Sequence, residues 1–307
     1  MTEPSLLPPG VTVFERGWLS SNNVLLSDAD RTVLIDSGYA THSDQTTFLV
    51  QGALGSRKLD FLFNTHLHSD HCGGNAALQA SYPGLRTHIP PALAARVRNW
   101  DPVALGYLPL GQQCPRFAVN AVLENGTEFS AAGLTWQVYA SPGHDPHSVI
   151  FFEPRSATLI SADALWENGF GVIFQELEGE QAFDEVAQTL DMIETLAPDV
   201  VIPGHGQVFT AVQQALTTSR KRLDGFARNP KKHALHAAKV LLKFKLLEVQ
   251  RLNRETMVHW AEYTPYMGLV HRKWFPDANL TEWSLYLADD LVRSGAAQRG
   301  GDGIVNA

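Results

Sequence analysis

The sequence is poor in cysteine and in positive charge, and it has no long apolar run. Its 307 residues include two cysteines, too few for a disulfide framework, which favours a reducing, cytoplasmic compartment. The 24 Lys and Arg are outnumbered by 32 Asp and Glu, and the net charge of −8 argues against a surface built wholly for nucleic acid. No stretch approaches the roughly 18 apolar residues of a membrane span. Residues 1–10 lack the basic and apolar regions of a secretory signal, so export is not expected.

Apolar residues make up 44% of the chain, which is enough to form a core. The length of the chain predicts about two domains. Strand-like and helix-like segments alternate, which predicts an α/β sandwich. The predicted strands are 11–14, 23–26, 32–35, 59–63, 118–123, 134–140, 148–152, 157–160 and 200–202, and the predicted helices are 43–54, 74–80 and 182–196.

The composition changes near residue 219. Residues 220–254 hold eleven Lys or Arg and two acidic residues, a local charge of +9, so the remainder carries −17. Helical spacing after the Asn229-Pro230 breaker, and again at 255–263 and 281–293, predicts a mostly helical, winged-helix-like module. The glycine-rich end, 299–303, is read as a hairpin or a loose tail. We therefore divide the chain into a catalytic domain, 1–218, and a C-terminal module, 219–307.

The basic segment has two readings. One face of its predicted helix would hold Lys232, His236, Lys239 and Lys243. This face would either clamp an anionic substrate such as a thioester carrier, a phosphate or RNA, or be a solvated face that balances the acidic catalytic domain. Regulatory DNA binding is disfavoured because helix 281–293 is acidic and would repel phosphates.

Twelve histidines are many for such a chain, and several fall in one segment. Directly after the apolar strand 59–63 comes the pattern HxHxDH, which consists of His66, His68, Asp70 and His71. Residues two apart on an extended chain point the same way, and the following Gly73-Gly74 permits a tight turn. The segment thus offers three imidazoles and a carboxylate, which are donors that zinc, iron or manganese accept.

Three more donors, His144, Asp163 and His205, each come just past a predicted apolar strand. Rigid scaffolds present metal ligands from strand ends in this manner. Two divalent ions about 3.5–4 Å apart would share a water whose pKa falls to about 7, so hydroxide becomes available near neutral pH. A site of this composition would attack a carbonyl or phosphoryl centre and favour an anionic or polarised substrate.

The ordered set of HxHxDH, a distant His, an Asp and a last His resembles the metallo-β-lactamase-fold hydrolase superfamily over about residues 20–210. The resemblance implies an αββα sandwich with the site at one edge between two sheets. It implies two divalent metals, zinc first, with iron or manganese as alternatives, and Asp70 and Asp163 as the catalytic carboxylates. It also implies the following roles: His66, His68 and His144 hold metal 1; Asp70, His71 and His205 hold metal 2; Asp163 bridges both; and Asp36 steadies the ligand loop.

The resemblance leaves several activities open. Asp163 and the absence of an export signal argue against a zinc β-lactamase, because those enzymes lack the bridging aspartate. The site is similar to glyoxalase II-like thioesterases and to lactonases, so the first hypothesis is a hydrolase of a small acyl thioester, lactone or ester. A metal-dependent endoribonuclease or phosphodiesterase is the second, a mono-iron sulfur dioxygenase the third, and a metal-binding regulator without turnover the fourth.

Four further residues lie near the predicted ligands in sequence. His147 stands where many relatives have glycine, and we assign it a supporting role beside the ligand His144. Trp166, Asn168 and Phe170 follow the bridging aspartate closely and would either line the substrate pocket or pack in the interior. A small-molecule substrate is the expected partner, RNA is less favoured, and the sequence leaves homo-oligomers open.

Overall fold

Residues 6–307 of a computed structural model are described; residues 1–5, on which the prediction of no export signal partly rests, lie outside this range. The chain forms two compact units. Unit 1 comprises the residues up to Asp101 together with Gln113–Asp224, and unit 2 comprises Pro102–Gln112 with Gly225–Ala307. Within the described residues no helix is long and apolar enough to cross a membrane.

The division differs in detail from the predicted one at 218/219. It falls after Asp224, and it assigns Pro102–Gln112 to unit 2 although this segment lies far from the boundary in sequence. The change in charge marks composition alone, whereas the division follows from which residues pack together.

Unit 1 contains two sheets. The first has the order β1-β2-β3-β4-β5-β6 and the second the order β11-β10-β9-β8-β7. The strands are β1 Val11–Phe14, β2 Asn23–Ser27, β3 Thr32–Ile35, β4 Phe61–Phe63, β5 Arg86–Ile89, β6 Ala121–Val122, β7 Glu128–Ala131, β8 Leu134–Ala140, β9 Val149–Glu153, β10 Thr158–Ala162 and β11 Val200–Pro203. The helices up to Arg228 are α1 Ser43–Leu54, α2 Ser69–Cys72, α3 Asn75–Ser81, α4 Ala94–Asn99, α5 Tyr107–Leu110, α6 Phe174–Glu178, α7 Ala182–Leu196 and α8 Val212–Arg228.

The core of unit 1 lies between the two sheets. Strand alternation sends Val24 and Ile35 of the first sheet into the same buried cluster as Trp136 and Phe151 of the second. The alternate residues on the other face of the first sheet, such as Leu34, pack against α1 and α3. Strands covered on both faces read as continuous apolar runs, which is why these strands were predictable. The αββα sandwich is confirmed.

Strand direction brings five loops to one edge of the sandwich. β3 and β4 are parallel, as are β10 and β11, and β8 is antiparallel to β9, which is antiparallel to β10. The carboxyl ends of β3 and β4 therefore share one edge of the first sheet, and those of β8, β10 and β11 share one edge of the second. Asp36, His66, His144, Asp163 and His205 all come just after these strands.

Unit 2 is mostly helical, with a small sheet. Its helices after the division are α9 Pro230–Val249, α10 Arg254–Tyr263, α11 Pro265–Trp274 and α12 Leu280–Arg293. Its strands are β12 Arg251–Asn253, β13 Ala297–Gly300 and β14 Gly303–Asn306, in the antiparallel order β12-β14-β13. The side chains of Asn229, Asn253 and Asn279 accept backbone N–H groups at the starts of α9, α10 and α12.

Unit 2 agrees with the prediction of a mostly helical module. The glycine-rich end is a hairpin, in which Gly300 pairs with Gly303. The sequence patterns missed the long helix α8, the helix α11, which begins at Pro265, and the short helices α2, α4, α5 and α6. They also missed the strands β5, β7 and β12. The missed strands are short and carry polar residues, so their sequences lack the apolar runs that mark the other strands.

Candidate metal centre

His66, His68 and His144 form the first group of donors. One nitrogen from each lies within 4.8 Å of the others, and the His68 Nδ1 is 2.8 Å from the His144 Nε2. The Val172 carbonyl accepts a hydrogen bond from the His144 Nδ1 at 2.6 Å. This contact fixes the proton on Nδ1 and leaves the His144 Nε2 lone pair directed at the group.

Asp70, His71 and His205 form the second group, again with one donor atom each within 4.8 Å. The His205 Nε2 lies 3.2 Å from Asp70 Oδ2, and the His71 Nε2 lies 4.0 Å from the same oxygen. Asp70 and His71 come from α2, the single turn that follows the His66–His68 segment. His205 arrives from the loop after β11.

The two oxygens of Asp163 face different groups. Oδ2 lies 3.4 Å from the His144 Nε2, whereas Oδ1 lies 3.4 Å from the His71 Nε2 and 3.9 Å from the His205 Nε2. The Trp166 indole donates a hydrogen bond to Asp163 Oδ1 at 3.2 Å. The carboxylate therefore stands between the groups with a fixed orientation.

Asp36 organises the ligand loop from the far side. Its Oδ1 accepts from the Thr65 backbone N–H at 2.9 Å, and its Oδ2 accepts from Thr65 Oγ1 at 2.8 Å and from the His71 Nδ1 at 2.7 Å. Thr65 Oγ1 is also 3.0 Å from the His66 Nδ1. Because the Thr65 hydroxyl proton goes to Asp36, this oxygen accepts from His66, so one aspartate fixes the tautomers of two imidazoles.

The electrostatics of the centre separate its imidazoles. Burial lowers the pKa of His66 well below its ordinary value and lowers that of His144 to about 4, with neighbouring histidines adding to the effect. Burial also opposes the charged form of His71, but Asp163, Asp36 and Asp70 outweigh it and raise the pKa of His71 well above its usual range. For Asp163, His71 and His205 outweigh burial and hold its pKa well below the ordinary range.

Two glycines leave the room that the donors occupy. A Cβ on Gly204 would overlap Asp163 Oδ1, and a Cβ on Gly171 would overlap the His144 ring. The chain approaches the candidate ligands so closely at these points that no side chain fits.

The donor set fits divalent cations. The Nε2 atoms of His66 and His71 are buried, and neither has a hydrogen-bond partner among the described residues. Such orphaned nitrogens are costly unless a ligand outside the chain binds them. Their other nitrogens are hydrogen-bonded, as metal-binding imidazoles usually are. Five imidazoles and two carboxylates are donors suited to zinc, iron or manganese.

Comparison with known protein families shows to which family this chain belongs. The model of the metallo-beta-lactamase superfamily matches residues 16–205. The chain belongs to this superfamily. The match covers the ligand segments and ends at His205, and unit 2 lies almost wholly outside it.

Individual metallo-beta-lactamase relatives are distant. A hydroxyacylglutathione hydrolase of Brucella anthropi is 25% identical over 205 residues, which are 66% of this chain and 63% of that protein. An atrochrysone carboxyl ACP thioesterase of Aspergillus fumigatus is 24% identical over 194 residues, 63% of this chain and 53% of that protein. The chain thus spans between about half and two thirds of the length of these curated relatives.

Solved structures share the fold of this chain. A metallo-beta-lactamase family protein from Thermus thermophilus has a TM-score of 0.58 at 19% identity and covers 99% of this chain and 100% of its own. The protein TTHA1623, solved in a di-iron-bound form, has a TM-score of 0.54 at 26% identity and covers 68% of this chain and 98% of its own.

The structure brings together all seven side chains that were predicted as ligands. Of the other predicted site residues, some contact this group and others do not. Trp166 contacts Asp163, but Phe170 is buried and Asn168 is exposed, with its carbonyl accepting from Arg222. Among the described residues, the imidazole of His147 makes no hydrogen bond, and its backbone N–H donates to Asp145.

Sequence reasoning missed three residues around this centre. The carboxylate of Asp145 lies 3.8 Å from the His68 Nε2. Trp18 stacks on His205, and Asn22 binds the loop that carries His205. Asp145 could have been found because it follows a nominated ligand directly. Trp18 and Asn22 precede the ligand motif by over 40 residues. The one signal in the sequence is a tryptophan within a short segment of mostly small and polar residues.

Proposed function

We propose that this chain is a metal-dependent hydrolase that binds two divalent cations and cleaves a small acyl thioester, lactone or ester. The observation that carries the proposal is the position of Asp163, whose Oδ2 faces His144 and whose Oδ1 faces His71 and His205. A carboxylate with one oxygen toward each of two donor groups is suited to joining two cations. Zinc is the first choice, and iron is the alternative supported by the di-iron form of TTHA1623.

The acyl substrate is supported by the relatives and by the chemistry of the donors. One relative is named a hydroxyacylglutathione hydrolase and another an ACP thioesterase. Divalent cations held by these residues would supply Lewis acidity, lowering the pKa of a coordinated water to about 7 and polarising a carbonyl oxygen. The net positive charge that two cations leave against two carboxylates favours a substrate whose carbonyl oxygen becomes negative in the transition state.

The chain's own residues keep the donors in place. Asp36 and the Val172 carbonyl accept hydrogen bonds from the Nδ1 atoms of His71 and His144, so the Nε2 atoms of both rings face the centre. Trp166 restrains Asp163 from rotating about its side-chain bonds. With the donors already oriented, little reorganisation is needed when charge develops on the substrate.

The endoribonuclease alternative gains no support from the basic segment. Lys239 pairs with Asp290 at 2.6 Å, and Lys243 donates to the Ala296 carbonyl and to Asn306. Arg220 pairs with Asp191 and Glu194. These cations are engaged within their own units, so the charge count overstates the positive surface available to a polyanion. We therefore rank acyl hydrolysis above phosphodiester cleavage.

The test combines elemental analysis with a substrate panel. We expect about two divalent ions per chain, together with hydrolysis of acyl thioesters or lactones and no cleavage of RNA. Asp163→Asn should lower metal content. It should also reduce kcat/KM by more than the roughly 10–100-fold that is typical of mutating residues that hydrogen-bond to metal ligands. Asp184→Asn, on the exposed start of α7, is the control. An active Asp163→Asn variant that retains two metals would overturn the proposal, and one iron per chain with oxygen consumption would favour the dioxygenase.

A further inference from the structure

A tryptophan with an open face lies beside the second donor group. Trp18 is 56% exposed although its side chain is large and apolar. Its ring stacks on the His205 imidazole, with centroids 5.4 Å apart and planes 10° apart. Trp166 packs its edge against Trp18 at 5.3 Å and against His205 at 5.5 Å. One face of Trp18 is therefore covered by a candidate ligand, and much of the rest of the ring meets solvent.

The loop that carries Trp18 is fastened to both ligand loops. The Ser21 backbone N–H donates to the Asp70 carbonyl at 2.9 Å, and the Asn22 N–H donates to the Gly204 carbonyl at 2.6 Å. The Asn22 side-chain amide donates to the carbonyls of Pro203 and Gly206, on either side of His205. These bonds hold the Trp18 ring in a defined position relative to the reacting centre.

From this placement we infer that Trp18 determines substrate specificity by stacking its open face on a flat, apolar group close to the scissile carbonyl. The inference rests on the proposed function, and it narrows the substrate to acyl compounds that carry an aromatic or similarly planar group. A fixed indole face provides a large apolar area with little ordering of the side chain, and ring pairs favour offset or edge contacts at about 4.5–7 Å. A cationic group could also bind an indole face, but cations at the centre would repel it.

A purely structural role of Trp18 and a role in substrate specificity predict different effects of removing the side chain. If Trp18 only shields His205, removing it would weaken metal binding and slow all substrates alike. If it selects substrates, removing it would change the preference between substrates. The ratio of kcat/KM for an aryl thioester to kcat/KM for the matching acetyl thioester separates the two roles.

The experiment compares Trp18→Ala and Trp18→Phe with the wild type. Phe48→Ala, which removes another exposed aromatic ring on α1, is the matched control. We expect Trp18→Ala to lower the aryl-to-acetyl ratio about 10-fold, mostly through KM, and Trp18→Phe to restore most of it. Phe48→Ala should leave the ratio unchanged. An equal loss for both substrates, or a loss of metal alone, would overturn the inference while the proposed function stands.

A binding measurement covers the case in which no acyl substrate is hydrolysed. Naphthylacetate and acetate are titrated into the metal-loaded protein by calorimetry. Naphthylacetate should bind the wild type about 10-fold tighter than it binds Trp18→Ala, and acetate should not distinguish them. Naphthylacetate binding that Trp18→Ala leaves unchanged would refute the stacking role. Absence of turnover together with this pattern would refute the proposed function alone.

Discussion

Asp36 Oδ2 accepts a hydrogen bond from the His71 Nδ1 at 2.7 Å, although the two residues are 35 positions apart. Asp36 holds a backbone φ of 58°, a left-handed conformation that aspartate and asparagine adopt more easily than most residues. The contact joins the end of β3 to the turn that carries Asp70 and His71. It is the most direct evidence that the ligand loop is set by a residue that does not itself belong to either donor group.

Asp36→Asn is expected to weaken metal binding by about 10–100-fold while the protein stays folded. Asparagine tolerates the left-handed backbone, but it removes the negative charge that orients His71 and holds its proton on Nδ1. Chelator competition measures the affinity, and Asp30→Asn, on an exposed turn, is the control. Equal affinity for Asp36→Asn and the wild type would show that the ligand loop does not need this carboxylate.

Gly204→Ala is expected to disrupt the centre because the added Cβ would overlap Asp163 Oδ1. The carboxylate would have to rotate away from His71 and His205, so the metal content should fall. The same substitution at Gly225, where nothing lies within 4 Å of the added Cβ, should stabilise α8 by about 1 kcal/mol. Elemental analysis and thermal unfolding of both variants check the prediction. A Gly204→Ala protein with full metal content would contradict the close approach.

Removing metal is expected to lower the thermal stability of the protein. The buried Nε2 atoms of His66 and His71 have no hydrogen-bond partner among the described residues, and each such atom costs about 1–3 kcal/mol. A ligand at about 100 times its Kd adds about 2.7 kcal/mol to the free energy of unfolding. Scanning calorimetry with chelator and with added zinc tests this. Asp163→Asn should show a smaller difference in Tm between the two conditions. A wild-type Tm that is the same with chelator and with zinc would refute the coupling of metal binding to stability.

Lys239→Met is expected to remove stability from unit 2 near neutral pH and to remove less of it in acid. Lys239 forms a hydrogen bond that lowers the pKa of Asp290, and Arg293 adds to the shift. A carboxyl whose pKa is lower in the folded state stabilises the fold above its unfolded pKa of about 3.9, and this contribution is lost as the pH falls toward the folded value.

The measurement for this pair is the difference in free energy of unfolding between wild type and Lys239→Met. The pair is partly exposed, so the difference should be about 0.2–1 kcal/mol at pH 7, and it should shrink as the pH is lowered from about 5 toward 3. Lys232→Met, at an exposed position on the same helix, is the control. A difference that grows in acid would show that the Lys239–Asp290 pair does not stabilise unit 2.

The amino-acid sequence by itself determined the strands of the sandwich and the candidate ligands. Runs such as Val149–Glu153 are apolar almost throughout because both faces of the strand are buried, and this leaves a pattern that can be read directly. HxHxDH lies within six residues, so its donors are neighbours whatever the rest of the chain does. His144, Asp163 and His205 were predictable because each follows a strand that the sequence marks.

Only the tertiary structure decided which oxygen of Asp163 faces which histidine, and that Trp18 covers His205. It also placed Pro102–Gln112 with unit 2, paired Lys239 of the basic segment with Asp290, and directed Lys243 to the Ala296 carbonyl. These relationships join residues that are dozens of positions apart, and they depend on strand order and packing. The ligand groups could be identified from the sequence because their residue types and their spacing along the chain are fixed by covalent structure. The distances between them are defined only once the two sheets have packed.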